Sequence, residues 1–314
     1  MKNFADRLIS AISEKSNPCV VGLDPRLDLM PEFITSHWRQ AEMNMAIRCS
    51  IVDFHELILD VVAPLVPAVK LQIAFYEQYG LPGIEAFVET IRLAKGRNLV
   101  VVVDAKRNDI ASTAEAYANA FLGSTDIFGT RKAIFDVDCM TVSPFLGRDS
   151  LQPFVNTCEK YGKGIFVLVK TSNPGSVDLQ DQELAITRKP LYNSLAETVD
   201  HLGSKMVGES GYSSIGAVVG ATFPEEATNL RRLMPRAIIL VPGYGAQGGT
   251  AEDAMTCFNT DGLGAVINAS RSITYAHREP HISKEEFIQI VRSKTIQMID
   301  EVKVALKNRL RVKK

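Results

Sequence analysis

Eight short apolar runs punctuate the 314-residue chain, and the stretches between them carry helical periodicity or polar loop character. In order they are CVVGLD from Cys19, AVKLQIAF from Ala68, LVVVVDAK from Leu99, DCMTVSPF from Asp138, GIFVLVKT from Gly164, IGAVVGAT from Ile215, AIILVPGY from Ala237 and GAVINASR from Gly264. β-Branched and small residues dominate them, as in strands buried on both faces of a parallel sheet. Between them, Glu85 to Ala94 repeats apolar residues at spacings of three and four, with Gly96 behind it as a C-cap signal. Ser283 and Glu286 form a capping-box pattern ahead of Phe287, Val291, Met298, Val302 and Leu306, which predicts a long final helix. Met1 to Ser16 reads as an amphipathic helix broken by charges. Eight strands alternating with helices predict one α/β domain over residues 1–314, a (β/α)8 TIM barrel with an added N-terminal helix and a long C-terminal one. No linker, repeat or low-complexity tract divides it. One polar stretch stands out, Asn173 to Pro190, which holds two prolines and follows the fifth run directly. A long loop at the C-terminal end of a barrel strand is a common place for function.

Composition narrows the function classes. Lys and Arg number 35 against 36 for Asp and Glu, so the chain carries no electrostatic footprint for nucleic acid. No apolar run approaches the length of a membrane span, and no secretory leader pattern opens the sequence. The five cysteines, Cys19, Cys49, Cys139, Cys158 and Cys257, are scattered and odd in number, lack the spacing of a metal site, and read as reduced, mostly buried small hydrophobes. A soluble, cytoplasmic protein is expected.

Chemistry concentrates where the apolar runs stop. The third run switches abruptly to charge at Asp104, Lys106, Arg107 and Asp109. Residues two apart on a strand share a face, with Cα atoms roughly 7 Å apart, so a carboxylate and an ammonium should look into one cavity. The bland alternative is a solvated strand end running into a helix that starts near Asp109 or Ser112. Position favours a site, because ligands of parallel α/β folds bind outside the carboxyl ends of the strands. Asp24 closes the first run, Lys70 lies in the second, Ser143 ends the fourth, and Thr171 with Ser172 ends the fifth. Lys70 shares a face with Gln72 and Ala74, and an acidic neighbour would hold it charged inside the barrel mouth, although a strand lysine can also snorkel to the surface. The seventh run opens into Pro242-Gly243-Tyr244-Gly245-Ala246-Gln247-Gly248-Gly249, and Arg271 follows the eighth. Glycines that let backbone N–H groups approach, a helix starting near Thr250 and a guanidinium fork together have the character of a phosphate site. A glycine-rich turn alone would mean little. The histidines, His37, His55, His201, His277 and His281, lie away from the run ends and form no catalytic pattern.

These residues together resemble a known family. Asp104-x-Lys106-x-x-Asp109 followed by Ile110 and Thr113 is similar to the signature of orotidine 5′-phosphate decarboxylases. Gly22-Leu23-Asp24-Pro25, Lys70, Thr171-Ser172-Asn173-Pro174-Gly175, the Gln247 loop and Arg271 extend the match over Val20 to Ile273, and the form DAKRNDIAST resembles the longer bacterial subgroup. Two positions depart from it, Asn108 and Ala111, where that subgroup leads one to expect glycine. The resemblance implies decarboxylation of orotidine 5′-monophosphate to UMP with no cofactor and no metal, the last step of pyrimidine nucleotide synthesis. It assigns Lys106 to protonating C6, Asp104 to the substrate carboxylate, and Lys70 and Asp24 to the ribose and the charge network. It also assigns Ser172 to the pyrimidine and Gln247 with Arg271 to phosphate. Asp109 and Thr113 would cross a homodimer interface into the partner's site. Two alternatives stay open: a metal-dependent sugar-phosphate decarboxylase or aldolase-like lyase on the same barrel, and a nucleotide-binding barrel without chemistry.

Overall fold

The structure, a computed structural model, describes residues 2–244, 248–277 and 279–312. Gln247, expected at the phosphate, lies outside the described residues. The eight apolar runs form the eight strands of one closed parallel barrel: β1 (Cys19–Gly22), β2 (Ala68–Gln72), β3 (Val100–Arg107), β4 (Cys139–Val142), β5 (Gly164–Lys170), β6 (Ser213–Val219), β7 (Ala237–Val241) and β8 (Ala265–Ala269). Each strand pairs with its sequence neighbours, and β1 closes on β8 with Cys19 opposite Ile267. The expected fold is therefore the observed one. A small antiparallel hairpin, Thr125–Ile127 with Thr130–Lys132, is the additional sheet among the described residues.

Period-two alternation sorts each strand into two cores. Val69, Leu71, Val101 and Val103 pack outward against the helix layer, whereas Ala68, Val100, Val102, Phe166 and Leu240 fill the barrel. The helix layer includes α1 (Phe4–Lys15), α2 (Met43–Val62), α3 (Gly80–Gly96), α4 (Ala111–Phe121), α5 (Arg148–Tyr161), α6 (Leu191–Gly203), α7 (Pro224–Leu233) and α8 (Lys284–Val312). No helix among the described residues is long and apolar enough to cross a membrane.

Helix α1 plugs the N-terminal end of the barrel. Asn3 caps it by accepting from the Asp6 N–H at 2.9 Å, and its apolar stripe of Phe4, Leu8, Ile9 and Ile12 joins the barrel-filling residues. Phe4 meets Phe166 edge-on with ring centroids 5.9 Å apart, over Gly164, where a Cβ would fall 2.2 Å from the Phe4 ring. The final helix has the expected capping box, with the Glu286 N–H donating to Ser283 Oγ at 3.2 Å, and it buries Phe287, Val291, Met298 and Val302. With one end of the barrel sealed by α1, a ligand has access from the C-terminal mouth.

Several element ends differ from expectation. Strand β2 stops at Gln72, and Ala74 opens a short helix, Ala74–Glu77, so it does not continue the Lys70 face. The left-handed residue after α3 is Asn98, with φ +58°, while Gly96 remains in the last helical turn. Neither Asp109 nor Ser112 caps α4: its N-cap is Ile110, without a side-chain hydrogen bond. The helix at Thr250 is a four-residue turn, Ala251–Ala254, whose Asp253 N–H is taken by the Thr250 hydroxyl in a closed capping box.

Candidate active site

At the C-terminal mouth the strand ends surround a cavity of about 510 Å³. Leu168, Val218 and Leu240, the last inward-facing apolar residues of β5, β6 and β7, contribute apolar wall, and polar side chains from the other strand ends complete it. The lining brings together Asp24, Lys70, Asp104, Lys106, Ser172 and Arg271, six of the nine expected site residues.

Four of these form a line of alternating charge. Lys70, on β2 and buried, stands 3.9 Å from Asp24 and 3.5 Å from Asp104, and the Lys106 ammonium lies 2.6 Å from the other Asp104 oxygen. Each Asp104 oxygen gains a further neutral donor: the Thr141 hydroxyl at 2.8 Å and the Gln72 amide at 2.9 Å. Asp24 in turn accepts from the Gln72 backbone N–H at 3.2 Å. Burial pushes the Asp104 carboxyl up, but Lys70, Lys106 and the Lys106 and Thr141 hydrogen bonds outweigh it and hold the group at about 2. Burial pushes Lys70 down, and Asp24 and Asp104 reverse that, leaving it above its ordinary value. All of Asp24, Lys70 and Asp104 thus have the partners that burial of charge requires.

Lys106 is the exposed end of the line, with 46% of its side chain accessible. Its backbone takes the left-handed conformation at φ +49°, within a register irregularity of the β3–β4 pairing, and its N–H donates to Thr141 Oγ1 at 2.9 Å. A non-glycine residue held there costs about 1–3 kcal/mol, which surrounding structure must offset. That conformation carries the ammonium over the cavity beside Asp104.

The remaining expected residues divide. Arg271 begins the short helix Arg271–Thr274 behind its N-cap Ser270 and faces the cavity, alongside Pro242, Gly243 and Tyr244 of the glycine-rich loop. Close packing explains the first glycine of Gly22-Leu23-Asp24-Pro25: a Cβ on Gly22 would fall 1.8 Å from Ser270 Oγ. Thr250 is absent from the described lining. Asp109 lies in the β3–α4 connection and Thr113 in the first turn of α4, both outside the lining of their own barrel; Thr113 is exposed beside Ile110. The fourth strand contributes Thr141 and not Ser143, whose carbonyl accepts from Asn108. Gln72, Thr141 and Asn268 are site residues that sequence reasoning passed over. Gln72 was legible, being two residues from Lys70 on the same face; Thr141 was not, because an irregular register decides which face of β4 meets Asp104. Among the described residues no group of three or more His, Cys, Asp or Glu side chains is arranged to hold a metal ion.

The family model described as "Orotidine 5'-phosphate decarboxylase / HUMPS family" matches residues 44–285 of this chain. The chain belongs to this family. An orotidine 5′-phosphate decarboxylase of Rhodopirellula baltica is 44% identical, the match covering 96% of this chain and 100% of the relative. One from Caldicellulosiruptor saccharolyticus is 40% identical over 95% of this chain and 97% of its own. Among solved structures, Leishmania donovani OMP decarboxylase superposes with a TM-score of 0.71 at 29% identity, covering 97% of this chain and 98% of that one. The segment of β3 that resembles the orotidine 5′-phosphate decarboxylase signature supplies Asp104 and Lys106 of the charged line, while the chain just after β1 supplies Asp24 and β2 supplies Lys70.

Proposed function

We propose that this chain decarboxylates orotidine 5′-monophosphate to UMP and CO2, the closing step of pyrimidine nucleotide synthesis, without metal or organic cofactor. The observation that carries the reading is the line Asp24, Lys70, Asp104, Lys106 at the mouth of the barrel, with the Asp104 carboxyl held ionised and the Lys70 ammonium held protonated. Family membership and near full-length relatives of that name support it.

The reaction breaks the bond between C6 and its carboxylate. CO2 departs and the electron pair stays on C6, in the plane of the ring, where no π system can absorb it. A fixed cation must therefore stand at C6. Lys106 supplies one, preorganised against Asp104, and donates a proton to the same carbon, after which solvent reprotonates the amine. Asp104 lies against the substrate carboxylate, and its ionised state disfavours that group before CO2 leaves. Asp24 and Lys70 bind the ribose hydroxyls and keep the line neutral in sum, Ser172 touches the pyrimidine, and Arg271 with Gln247 grips the phosphate. Phosphate, remote from the bond that breaks, contributes binding energy that is spent on holding the ring in place.

The chain works as a homodimer in this reading, with Asp109 and Thr113 entering the partner's cavity. Their position outside the lining of their own barrel supports this, as do the exposed apolar side chains Ile110, Phe145 and Leu146 on the same end of the barrel. Five free thiols, four of them buried, fit a reducing compartment, the cytoplasm.

The test is ultraviolet monitoring of orotidine 5′-monophosphate with and without EDTA. Equal turnover in both is expected. Turnover abolished by chelation and restored by Mg²⁺ would favour the sugar-phosphate lyase reading.

A further inference from the structure

Lys170, the last residue of β5, has a side chain with no accessible surface, yet it is not among the residues lining the cavity. Burying an ammonium is expensive unless it is paired and hydrogen-bonded. Its carboxylate partner is Asp181, eleven residues on, in the polar loop between β5 and α6. Two aromatic rings flank it: the ammonium stands 4.2 Å from the ring centroid of Phe223, the N-cap of α7, and 5.5 Å from that of Tyr192 in α6. Three segments of chain outside β5 therefore converge on one buried charge.

The neighbour of Asp181 completes the arrangement. The Gln180 side chain accepts from the Thr171 N–H at 2.9 Å and donates to the Thr171 hydroxyl at 2.8 Å, so the loop is fastened to the two residues on either side of the strand end. Behind them the Thr222 hydroxyl donates to the Ser172 carbonyl at 3.2 Å. Gly220 lets the two backbones approach closely, since a Cβ there would lie 2.7 Å from Ser172 Cα. The backbone of Ser172 is thus met by the β6–α7 connection on one side and, through Lys170 and Thr171, tied to the loop on the other.

We propose that Lys170, Asp181 and Gln180 are positioning residues that fix the Ser172 segment against the pyrimidine of the substrate; this rests on the assignment of Ser172 to the pyrimidine given above. A buried ion pair is replaceable by apolar groups of similar volume with little loss of stability, or a gain, so stability does not account for a lysine here. Its charge specifies where the loop sits: it demands one carboxylate at one place. Because none of the three lines the cavity except through Thr171 and Ser172, their effect passes through those residues.

Lys170→Met, Gln180→Ala and Ser172→Ala, with the double variant Lys170→Met/Ser172→Ala, test this. For each, kcat/KM on orotidine 5′-monophosphate and Kd for UMP and for ribose 5-phosphate are measured, with thermal unfolding as the check on folding. Lys170→Met is expected to lower kcat/KM by about 10²-fold, and Gln180→Ala, which leaves no buried charge behind, by about tenfold. Both weaken UMP and leave ribose 5-phosphate within about twofold, and Ser172→Ala adds little to Lys170→Met. Equal losses for UMP and ribose 5-phosphate, or losses that multiply in the double variant, would overturn the proposal. If Ser172→Ala alone changes neither UMP binding nor turnover while wild type is active, the assignment of Ser172 is what fails, and the proposal with it; a wild type without turnover overturns the reaction itself.

Discussion

Asp104 decides the electrostatics of the site. Its ordinary value is 3.8 and its folded value about 2, so it is ionised wherever the protein is folded near neutrality. A carboxyl depressed on folding contributes stability that is fully present above its unfolded value and is lost as pH falls through its folded value. The window here runs from about pH 4 down to about pH 2. Asp104→Asn removes that contribution. The difference in unfolding free energy between wild type and Asp104→Asn should therefore be ~2 kcal/mol larger at pH 5 than at pH 2, read from denaturant titrations at each pH. A difference that stays constant over that range would mean that Lys70 and Lys106 do not hold the carboxyl down. Lys106 presents the opposite case. Its left-handed backbone and accessible ammonium stand at the cavity and cost stability, as the proposed role of Lys106 requires.

The β3–α4 connection shows what an element inherits from its sequence and what it does not. The run of valines and the charges behind it were enough to place Asp104 and Lys106 at a barrel mouth, because alternation and strand polarity follow from the pattern alone. The irregular pairing between Val103 and Arg107 has no such signature, and it is what brings Thr141 to Asp104 in place of Ser143 near the cavity. Lys170 escaped notice for a related reason: nothing local distinguishes a strand-end lysine in water from one whose partner arrives eleven residues later. Of the two departures from the subgroup, Asn108 has a structural explanation and Ala111 does not. Asn108 bonds the Ser143 carbonyl and, at 2.7 Å, Ser150 Oγ, a role glycine lacks. Ala111 sits at φ +45°, a conformation that glycine adopts freely and alanine does not. Ala111→Gly should raise the unfolding free energy by about 0.5–1 kcal/mol, the relief of left-handed strain less the entropy that glycine loses on folding. Chemical denaturation measures it; destabilisation of that size would show that the helix start is unstrained.

At the scale of the molecule, a barrel sealed at one end by α1 leaves the C-terminal mouth as the way in for substrate. If Asp109 works in the neighbouring subunit's cavity, each active site draws Lys106 from one chain and Asp109 from the other. Inactive Lys106→Ala protein mixed with inactive Asp109→Ala protein should then regain activity, because one site of every mixed dimer escapes both changes. With random exchange of equal amounts, up to roughly a quarter of wild-type activity should return. Exchange confirmed by mass without any recovery would place Asp109 in its own barrel's site or in none. The reaction itself is most directly tested by running turnover in D2O and observing C6 of the product by proton NMR. Lys106 exchanges its ammonium protons with solvent, so wild type should yield UMP carrying deuterium at C6, one for each CO2 released, and Lys106→Ala should yield almost none of it over the same time. Unchanged orotidine 5′-monophosphate with the wild-type protein, or deuterated UMP formed as fast by Lys106→Ala, would contradict the assignment of this site to decarboxylation through Lys106.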